Sequence, residues 1–197
     1  MNRYIVLIIM AIAFSSCVEK KSETPQGWHQ ITAKEVSDNS VALFADDWAL
    51  ITAGTPEHFN MMTASWGCMG NLWNKPVALC FVRPQRYTFE FTEREATYTL
   101  TFFDESYREQ LQYLGSVSGR DEDKVKGSGL TPKVLPSGNI SFEEARLIIE
   151  CKKIYADFFD EQNFIDTTII TKVYPTKDFH RVYIGEITDV WEKKSSE

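Results

Sequence analysis

The sequence is poor in the residues that build metal centres and disulfide frameworks. It has four cysteines and three histidines among 197 residues, and no two cysteines form a CxxC pair. Cys80 and Cys151 lie in apolar segments, where a free cysteine is usually a buried hydrophobic side chain. Since only three cysteines follow Cys17, they cannot form a closed set of disulfides. These features predict neither a zinc site nor a disulfide-stabilised fold.

Positive charge is also scarce. Lys and Arg number 21 against 28 Asp and Glu, which gives a net charge of −7. A nucleic-acid binder depends on neutralising phosphates, so no nucleic-acid partner is expected. The chain contains neither a GxGxxG motif nor a recognisable Ser-His-Asp arrangement. Hydrophobic residues make up 43% and aromatic residues 13%, which is enough for the core of one domain.

The first residues form a separate segment. Arg3 precedes the apolar stretch YIVLIIMAIAF, and FSSC follows, ending at Cys17. A positive start, a short apolar stretch and small residues before a cysteine are typical of a bacterial lipoprotein signal. We therefore predict a signal peptide at 1–16, a lipidated Cys17, a tether at 17–27 and a lipid-anchored location in the cell envelope. The alternatives are an ordinary signal peptide and an N-terminal membrane anchor.

The remaining chain, 28–197, reads as one domain of short strands and a few helices. Strands are predicted at 28–32, 48–54, 61–67, 75–83, 96–103, 143–159 and 181–191. Helices are predicted at 33–44, 86–95 and 104–115. The region 116–139 is expected to be a long loop with at most one helical turn, at 121–126. The predicted fold class is mainly β, a β-barrel with peripheral helices.

The stretch NMMTASWGCMGNLWNKP at 60–76 combines soft apolar, aromatic and very small residues. On a strand, alternate side chains point to opposite faces. One face becomes progressively smaller and more hydroxylated and would admit a flat heterocycle; it contains Met61, Thr63, Ser65 and Gly67. The other face is expected to be core and contains Asn60, Met62, Ala64 and Trp66. The alternative is a core strand that ends in a Gly-rich turn.

The next segment, FVRPQRYTFEF, suggests an anion site. Arg83 and Arg86 stand where a predicted strand runs into a helix that begins near Tyr87 and Thr88. Free N–H groups at a helix start and the forked guanidinium group both suit phosphate. The alternative is that both arginines are surface charges paired with nearby glutamates. The two segments together suit a mononucleotide, with its ring on the stretch 60–76 and its phosphate on FVRPQRYTFEF.

Together these motifs resemble the flavin reductase-like proteins of the FMN-binding split-barrel class, especially the branch that contains flavoredoxin. The similarity spans roughly residues 45–190, and MTASW, NKP, RPQRYT, SGRDEDK and HRVYIGEI occur in the family's order. The resemblance implies a split barrel, noncovalently bound FMN and a homodimer with the FMN site near the subunit interface.

The resemblance also implies the role of individual residues. The isoalloxazine ring would be lined by Met62, Thr63, Ala64, Ser65 and Trp66, and the phosphate end would be held by Arg83, Arg86, Tyr87 and Thr88. The loop Ser118–Lys124 would lie near the exposed side of the ring, with Lys124 as a cofactor-binding residue. His180 would face the flavin and the nicotinamide, although a lone histidine before an apolar strand is more often structural.

Three functions follow from the resemblance. The first is an FMN-dependent reductase that takes electrons from NAD(P)H or another donor. The second is an exported FMN electron carrier served by a redox partner protein, since reduced nicotinamide is scarce outside the cytoplasm. The third is a lipoprotein that binds a ligand without redox chemistry. A flavin site needs little acid–base chemistry from side chains, because the flavin itself transfers the electrons.

Overall fold

The computed structural model describes residues 24–194. The predicted signal peptide, Cys17 and most of the predicted tether lie outside the described residues. The strands are β1 Trp28–Ile31, β2 Ala49–Thr55, β3 His58–Ala64, β4 Gly67–Leu72, β5 Lys75–Val82, β6 Thr97–Phe102, β7 Pro132–Val134, β8 Ile140–Phe142, β9 Leu147–Phe158 and β10 Arg181–Lys193. The helices are α1 Ser40–Ala42, α2 Thr88–Arg94, α3 Arg108–Ser116, α4 Lys124–Ser128 and α5 Thr168–Val173. A π-helical turn, Leu43–Asp47, continues α1, and short 3₁₀ turns occupy Glu105–Tyr107 and Glu161–Asn163.

Seven strands form an antiparallel sheet in the order β3-β2-β6-β9-β10-β5-β4, and β1 pairs separately with β10. The two end strands, β3 and β4, are consecutive in the chain and are joined only through Ser65 and Trp66. A two-residue connection between the two ends requires the sheet to curl onto itself. The result is a barrel with an unpaired seam between β3 and β4, and the predicted mainly β barrel with peripheral helices is confirmed.

Both faces of the sheet are covered by apolar side chains. One buried cluster joins Ile51 of β2, Ile149 of β9 and Cys80 of β5, strands that stand apart in the sheet order, so this cluster fills the barrel interior. Leu50 and Ile148, one residue away on β2 and β9, belong to a second cluster outside the barrel. This alternation is the two-residue period of a strand. Cys80 and Cys151 are both buried, as the sequence predicts.

Helix α3 and the β7–β8 hairpin form the outer layer over the second cluster. Leu111 and Leu114 of α3 are almost completely buried there. Burying one such side chain contributes roughly 1.5–3 kcal/mol to folding. The burial therefore holds α3 against β3. The position of α3 determines which part of β3 remains open.

The one fully buried carboxylate of the described core, Glu150, is structural. It accepts hydrogen bonds from Trp191 Nε1 at 2.7 Å and Asn139 Nδ2 at 2.6 Å, and also from the Ser137 hydroxyl. Because a buried charge is tolerated only when it is hydrogen-bonded, this network ties the loop between β7 and β8 to the barrel. It leaves Glu150 without a free oxygen for chemistry.

The predicted helix at 33–44 is wrong over most of its length, because α1 and the π-helical turn begin only at Ser40. The Glu35 carboxylate accepts hydrogen bonds from the backbone N–H and the hydroxyl of Thr32, both at 2.7 Å. These bonds close one turn, but Asn39 has an extended backbone (ψ 117°), so the turn does not continue into α1. Asn39 then caps the helical start, its Oδ1 accepting from Val41 N at 2.9 Å.

Other boundaries also differ from the predictions. The strand predicted at 61–67 breaks after Ala64, and the predicted loop at 116–139 contains α4 and β7. The long strand begins at Leu147 rather than 143, after a turn. The remaining predicted strands and the helices at 86–95 and 104–115 are present. Within residues 24–194, no helix is both long and apolar enough to span a membrane.

Gly54, the glycine of the β2–β3 hairpin, is not expected to tolerate substitution. Its φ is +134°, and a Cβ there would lie 2.4 Å from the His58 carbonyl oxygen. We expect Gly54→Ala to lower the free energy of unfolding by about 2–5 kcal/mol, from backbone strain and the clash. Gly70→Ala in β4 is the matched control, because nothing lies within 4 Å of its Cβ position. Urea unfolding of both variants tests this, and equal midpoints would contradict it.

Candidate functional site

Two adjoining cavities open at the seam of the barrel. The first, here called the flat cavity, has a volume of about 270 Å³ and is lined by Met62, Thr63, Ala64, Ser65, Trp66, Phe81, Arg83, Arg86, Gly115 and His180. All five residues predicted to line a ring are therefore together here. The end of β3 and the turn to β4 provide small side chains and exposed backbone, which leaves room for a planar molecule.

The second cavity, here called the cationic cavity, has a volume of about 190 Å³. It is lined by Asn60, Met62, Gln85, Arg86, Tyr87, Thr88, Ser116, Val117, Ser118, Gly119 and Lys124. Met62 and Arg86 belong to both linings, so one ligand can extend from one cavity into the other. Of the described residues that line the cationic cavity, none is acidic.

Arg86 and Lys124 give this cavity its positive charge. Arg86 Nη2 donates to the Gly115 carbonyl oxygen at 2.7 Å, which fixes the guanidinium group between the cavities. The Lys124 ammonium is buried and donates to the carbonyl oxygens of Met61 and Leu114, each at 2.7 Å. Burial, and secondarily the positive charge of Arg86, lowers the pKa of Lys124 to about 8. Two desolvated cations side by side suit a doubly charged anion.

The wall of the cationic cavity is held by buried polar contacts. Asn60 Nδ2 donates to Thr88 Oγ1 at 2.9 Å, and both side chains are buried. Gly119 packs so closely that a Cβ there would lie 2.2 Å from Asn60 Oδ1. The SGRDEDK loop therefore lies at the cationic cavity, rather than beside the flat cavity as expected. Arg120 from this loop lies over the Tyr87 ring, 4.7 Å from its centroid.

Arg83 is not in the cationic cavity, although the sequence pairs it with Arg86. Its Nη1 forms an ion pair with Asp178, and Nη2 donates to the Val173 carbonyl oxygen at 3.0 Å. Partial burial raises the pKa of Asp178, but hydrogen bonds from Arg83 and neighbouring groups outweigh it and hold that pKa well below its usual range. Arg83 therefore lines the flat cavity while its charge is already neutralised.

His180 lies at the flat cavity as predicted. Its side chain is buried, Nδ1 is hydrogen-bonded to the Tyr174 hydroxyl at 2.8 Å, and its ring lies 5.1 Å from the Trp66 ring. Burial, and secondarily the positive charge of Arg83, lowers the pKa of His180 to about 4. The imidazole is therefore neutral at pH 7, and Nε2 is the nitrogen that remains for a ligand.

The predicted open face of β3 is open only in part. Thr63 and Ser65 line the flat cavity, but Met61 is buried under α3, and Thr63 Oγ1 donates to the Leu111 carbonyl oxygen at 2.6 Å. Met62 faces the interior cluster, as predicted, and also lines both cavities, while Trp66, predicted to be core, is 48% exposed. The alternation of β3 was predicted correctly, but α3 covers the predicted open face at Met61.

Sequence reasoning missed several lining positions. Asn60 is buried, as expected, but it also lines the cationic cavity and donates to Thr88, and the Gly115 carbonyl holds Arg86. Phe81 lies on a wall of the flat cavity although it belongs to an apolar strand. The motif RPQRYT predicts Arg86 as a binding residue, but no local pattern indicates which distant carbonyl or amide group will contact its side chain.

The comparisons with known proteins agree with this geometry. The family model described as flavin reductase like domain matches residues 41–197. Among curated proteins, no sequence matches significantly. Flavoredoxin of Desulfovibrio vulgaris (Miyazaki F) is similar, with 23% sequence identity, a TM-score of 0.58 and a match that covers 84% of this chain and 78% of that one. An FMN-binding domain of flavin reductases-like enzyme from Shewanella baltica OS155 has 16% identity and a TM-score of 0.61, and the match covers 84% of this chain and 77% of that one. The FMN-binding protein from Thermus thermophilus with bound p-hydroxybenzaldehyde has 20% identity and a TM-score of 0.59, and the match covers 74% of this chain and 70% of that one. At these identities the structures support the fold, and the family model covers most of the chain. This protein therefore belongs to the flavin reductase like domain family.

Proposed function

We propose that this protein binds FMN noncovalently at the barrel seam and acts as an FMN-dependent oxidoreductase. The observation that carries the proposal is the junction of the flat cavity with the cationic cavity through Met62 and Arg86. A mononucleotide has the same two parts, a planar ring system and a dianionic phosphate. The names of the similar structures, flavoredoxin and FMN-binding proteins, support the same ligand.

The residues present fit this cofactor. Arg86 and Lys124 would neutralise the phosphate, and Thr88 would add a hydroxyl group to the same cavity. The ring would lie against Thr63, Ala64 and Ser65, whose small side chains do not block it. The cofactor supplies the electron-transfer chemistry when it is bound, so the protein has to hold, orient and shield it.

His180 is proposed to border the side of the cofactor on which the electron donor binds. It is held by Tyr174 and is neutral at pH 7, so it offers a hydrogen bond and does not repel the positive charge that the nicotinamide acquires on oxidation. We propose NAD(P)H as the transient donor for a reductase. The second candidate is an electron carrier that a redox partner protein reduces, and the predicted export signal favours it.

Dimerisation and location are proposed from the sequence alone. The family resemblance supports a homodimer with the FMN site near the subunit interface. The lipoprotein-like signal supports a lipid anchor at Cys17, outside the described residues, and a location in the cell envelope.

Expression from residue 18, addition of FMN, desalting and a visible spectrum test the proposal. We expect a yellow protein that retains one FMN per chain, because the buried Lys124 and the half-buried Arg86 would hold the phosphate. Anaerobic addition of NADH then separates the candidates. Bleaching by NADH supports the reductase, whereas bleaching only by dithionite supports the electron carrier. A colourless protein after saturation with FMN would contradict both and favour a lipoprotein without redox chemistry.

A further inference from the structure

A third cavity adjoins the flat cavity and has a different chemical character. It is a groove of about 490 Å³, here called the apolar groove, and it shares Ser65, Trp66 and Phe81 with the flat cavity. Aromatic rings form much of its lining: Phe44, Trp66, Phe81, Phe159, Phe164 and Tyr174. None of the described residues on this lining carries a charge.

Four of these rings pack one against the next as an aromatic wall: Phe81, Phe159, Phe164 and Tyr174. Phe159 stacks on Phe81 with centroids 5.7 Å apart and planes at 19°, and Phe164 meets Phe159 edge-on at 5.9 Å. Several apolar side chains at the groove stay open to solvent, including Phe159 at 36% and Ile169 at 40% exposure. An exposed apolar surface of this kind beside a cavity usually marks a binding site.

We propose that the apolar groove binds a neutral, flat quinone, placing an electron acceptor beside the flat cavity. Aromatic walls favour a planar ring by stacking, and the Ser40 and Ser65 hydroxyl groups on the lining suit carbonyl oxygens. A dinucleotide does not suit the groove, since its pyrophosphate would find no cation there. Quinone binding is independent of FMN, whereas the acceptor role rests on the proposed function.

The acceptor role gives a balanced overall reaction. NAD(P)H and one proton deliver two electrons and two protons in total to the quinone, which leaves as the hydroquinone together with NAD(P)⁺. The donor reaches the cofactor on the His180 side, and the quinone reaches it through the edge formed by Trp66 and Phe81. Separate approaches for the donor and the quinone would account for the apolar groove, a third cavity that FMN alone does not need.

The choice of probe follows from Cys68, which lies exposed on the groove lining. A quinone with a free ring position adds covalently to thiols, which would imitate binding. Burial raises the pKa of Cys68, which lowers the thiolate fraction but does not abolish this reaction. Tetramethyl-1,4-benzoquinone has no free ring position and is therefore the probe.

Isothermal titration of the cofactor-free protein with tetramethyl-1,4-benzoquinone tests the binding site. We expect saturable binding of one molecule per chain, at least tenfold weaker in Ile169→Asp, which introduces a charge into the neutral lining. Ile165→Asp is the matched control: Ile165 is 100% exposed and outside the groove, so its variant should bind like the original protein. Absence of saturable binding, or equal binding by both variants, would overturn the proposal.

Two further measurements separate the explanations. FMN titration of all three proteins should give equal affinities, because neither isoleucine lines the two FMN cavities. Quinone binding without FMN binding would keep the groove site and refute the proposed function. Sedimentation of the unliganded proteins tests a second copy of the chain as the occupant. A dimer that Ile169→Asp dissociates, combined with no quinone binding, would make the groove a subunit interface and overturn the proposal.

Discussion

Replacing Arg86 with alanine is expected to weaken FMN binding by about 100-fold, since truncating one member of a buried charge pair costs roughly 2–5 kcal/mol. Arg86 is the only cation among the described residues that lines both the flat and the cationic cavity. Its position is fixed by the hydrogen bond to Gly115, so no reorganisation is needed before it meets a phosphate. Quenching of flavin fluorescence during titration gives the affinity.

Two controls make this measurement specific. Riboflavin lacks the phosphate, so Arg86→Ala should change riboflavin affinity far less than FMN affinity. Arg120→Ala removes a cation of the SGRDEDK loop that is paired with Glu90 and lies outside the cavity linings, and it should leave FMN affinity within about twofold. An equal loss of FMN and riboflavin affinity in Arg86→Ala would mean that the variant disturbs the ring site rather than the phosphate site.

Arg83 differs from Arg86 in the structure, and the sequence alone does not show this difference. Both arginines follow β5 and precede α2, so their local patterns are equivalent. Asp178 lies 95 residues further along the chain and neutralises Arg83. Arg83→Ala should therefore act mainly on the segment around Tyr174 and His180, with less than a tenfold loss of FMN affinity. A loss as large as that of Arg86→Ala would place the phosphate elsewhere.

The sequence predicts those parts of the fold that depend on local periodicity. The strands in 48–54, 75–83 and 96–103 are present because alternating or continuous apolar residues determine which side is buried. The helix expected at 33–44 fails before Ser40, because Asn39 is extended and its side chain caps a new helical start by accepting from Val41 N. Propensity does not register such a contact, because it depends on one geometry rather than on a period.

For the site, the sequence predicts the segments but not their orientation. The residues 62–66 line the flat cavity from both faces of β3, whereas the expected open face is covered at Met61. The reason is long-range, since α3 packs on the side of Met61 through Leu111 and Leu114. The sequence does not predict the apolar groove, because its rings come from the π-helical turn, the β3–β4 connection, β5 and the segment between β9 and β10.

Lys124 is expected to make FMN affinity fall as the pH rises above about 8. The pKa of Lys124 in the unliganded protein is about 8, because burial and the charge of Arg86 disfavour the ammonium form. A bound phosphate dianion favours the ammonium form and raises that pKa, so binding above pH 8 must take up a proton. Affinity then decreases by up to about tenfold per pH unit until the pKa of the complex is reached.

The pH dependence of folding should have the opposite sign. The pKa of this lysine falls from 10.5 to about 8 on folding, so between these values the unfolded chain binds more protons. The contribution of Lys124 to the free energy of unfolding therefore rises with pH over this window in the absence of FMN. A general loss of structure at high pH would lower FMN affinity and the free energy of unfolding together. A fall in affinity with pH beside a rise in the free energy of unfolding therefore identifies Lys124.

The matched variant is Lys124→Met, which keeps an unbranched side chain as far as Cε and removes the ammonium group. It leaves the carbonyl oxygens of Met61 and Leu114 without their donor, so a loss of roughly 1–3 kcal/mol in stability is expected. At pH 7 its FMN affinity should be about tenfold lower than that of the original protein, and it should stay constant from pH 7 to 9.5 because no ammonium group is left to titrate. Riboflavin affinity should be independent of pH in both proteins. If the original protein binds FMN equally well at pH 7 and 9.5, the Lys124 ammonium group does not hold the phosphate, and Arg86 alone neutralises the phosphate charge.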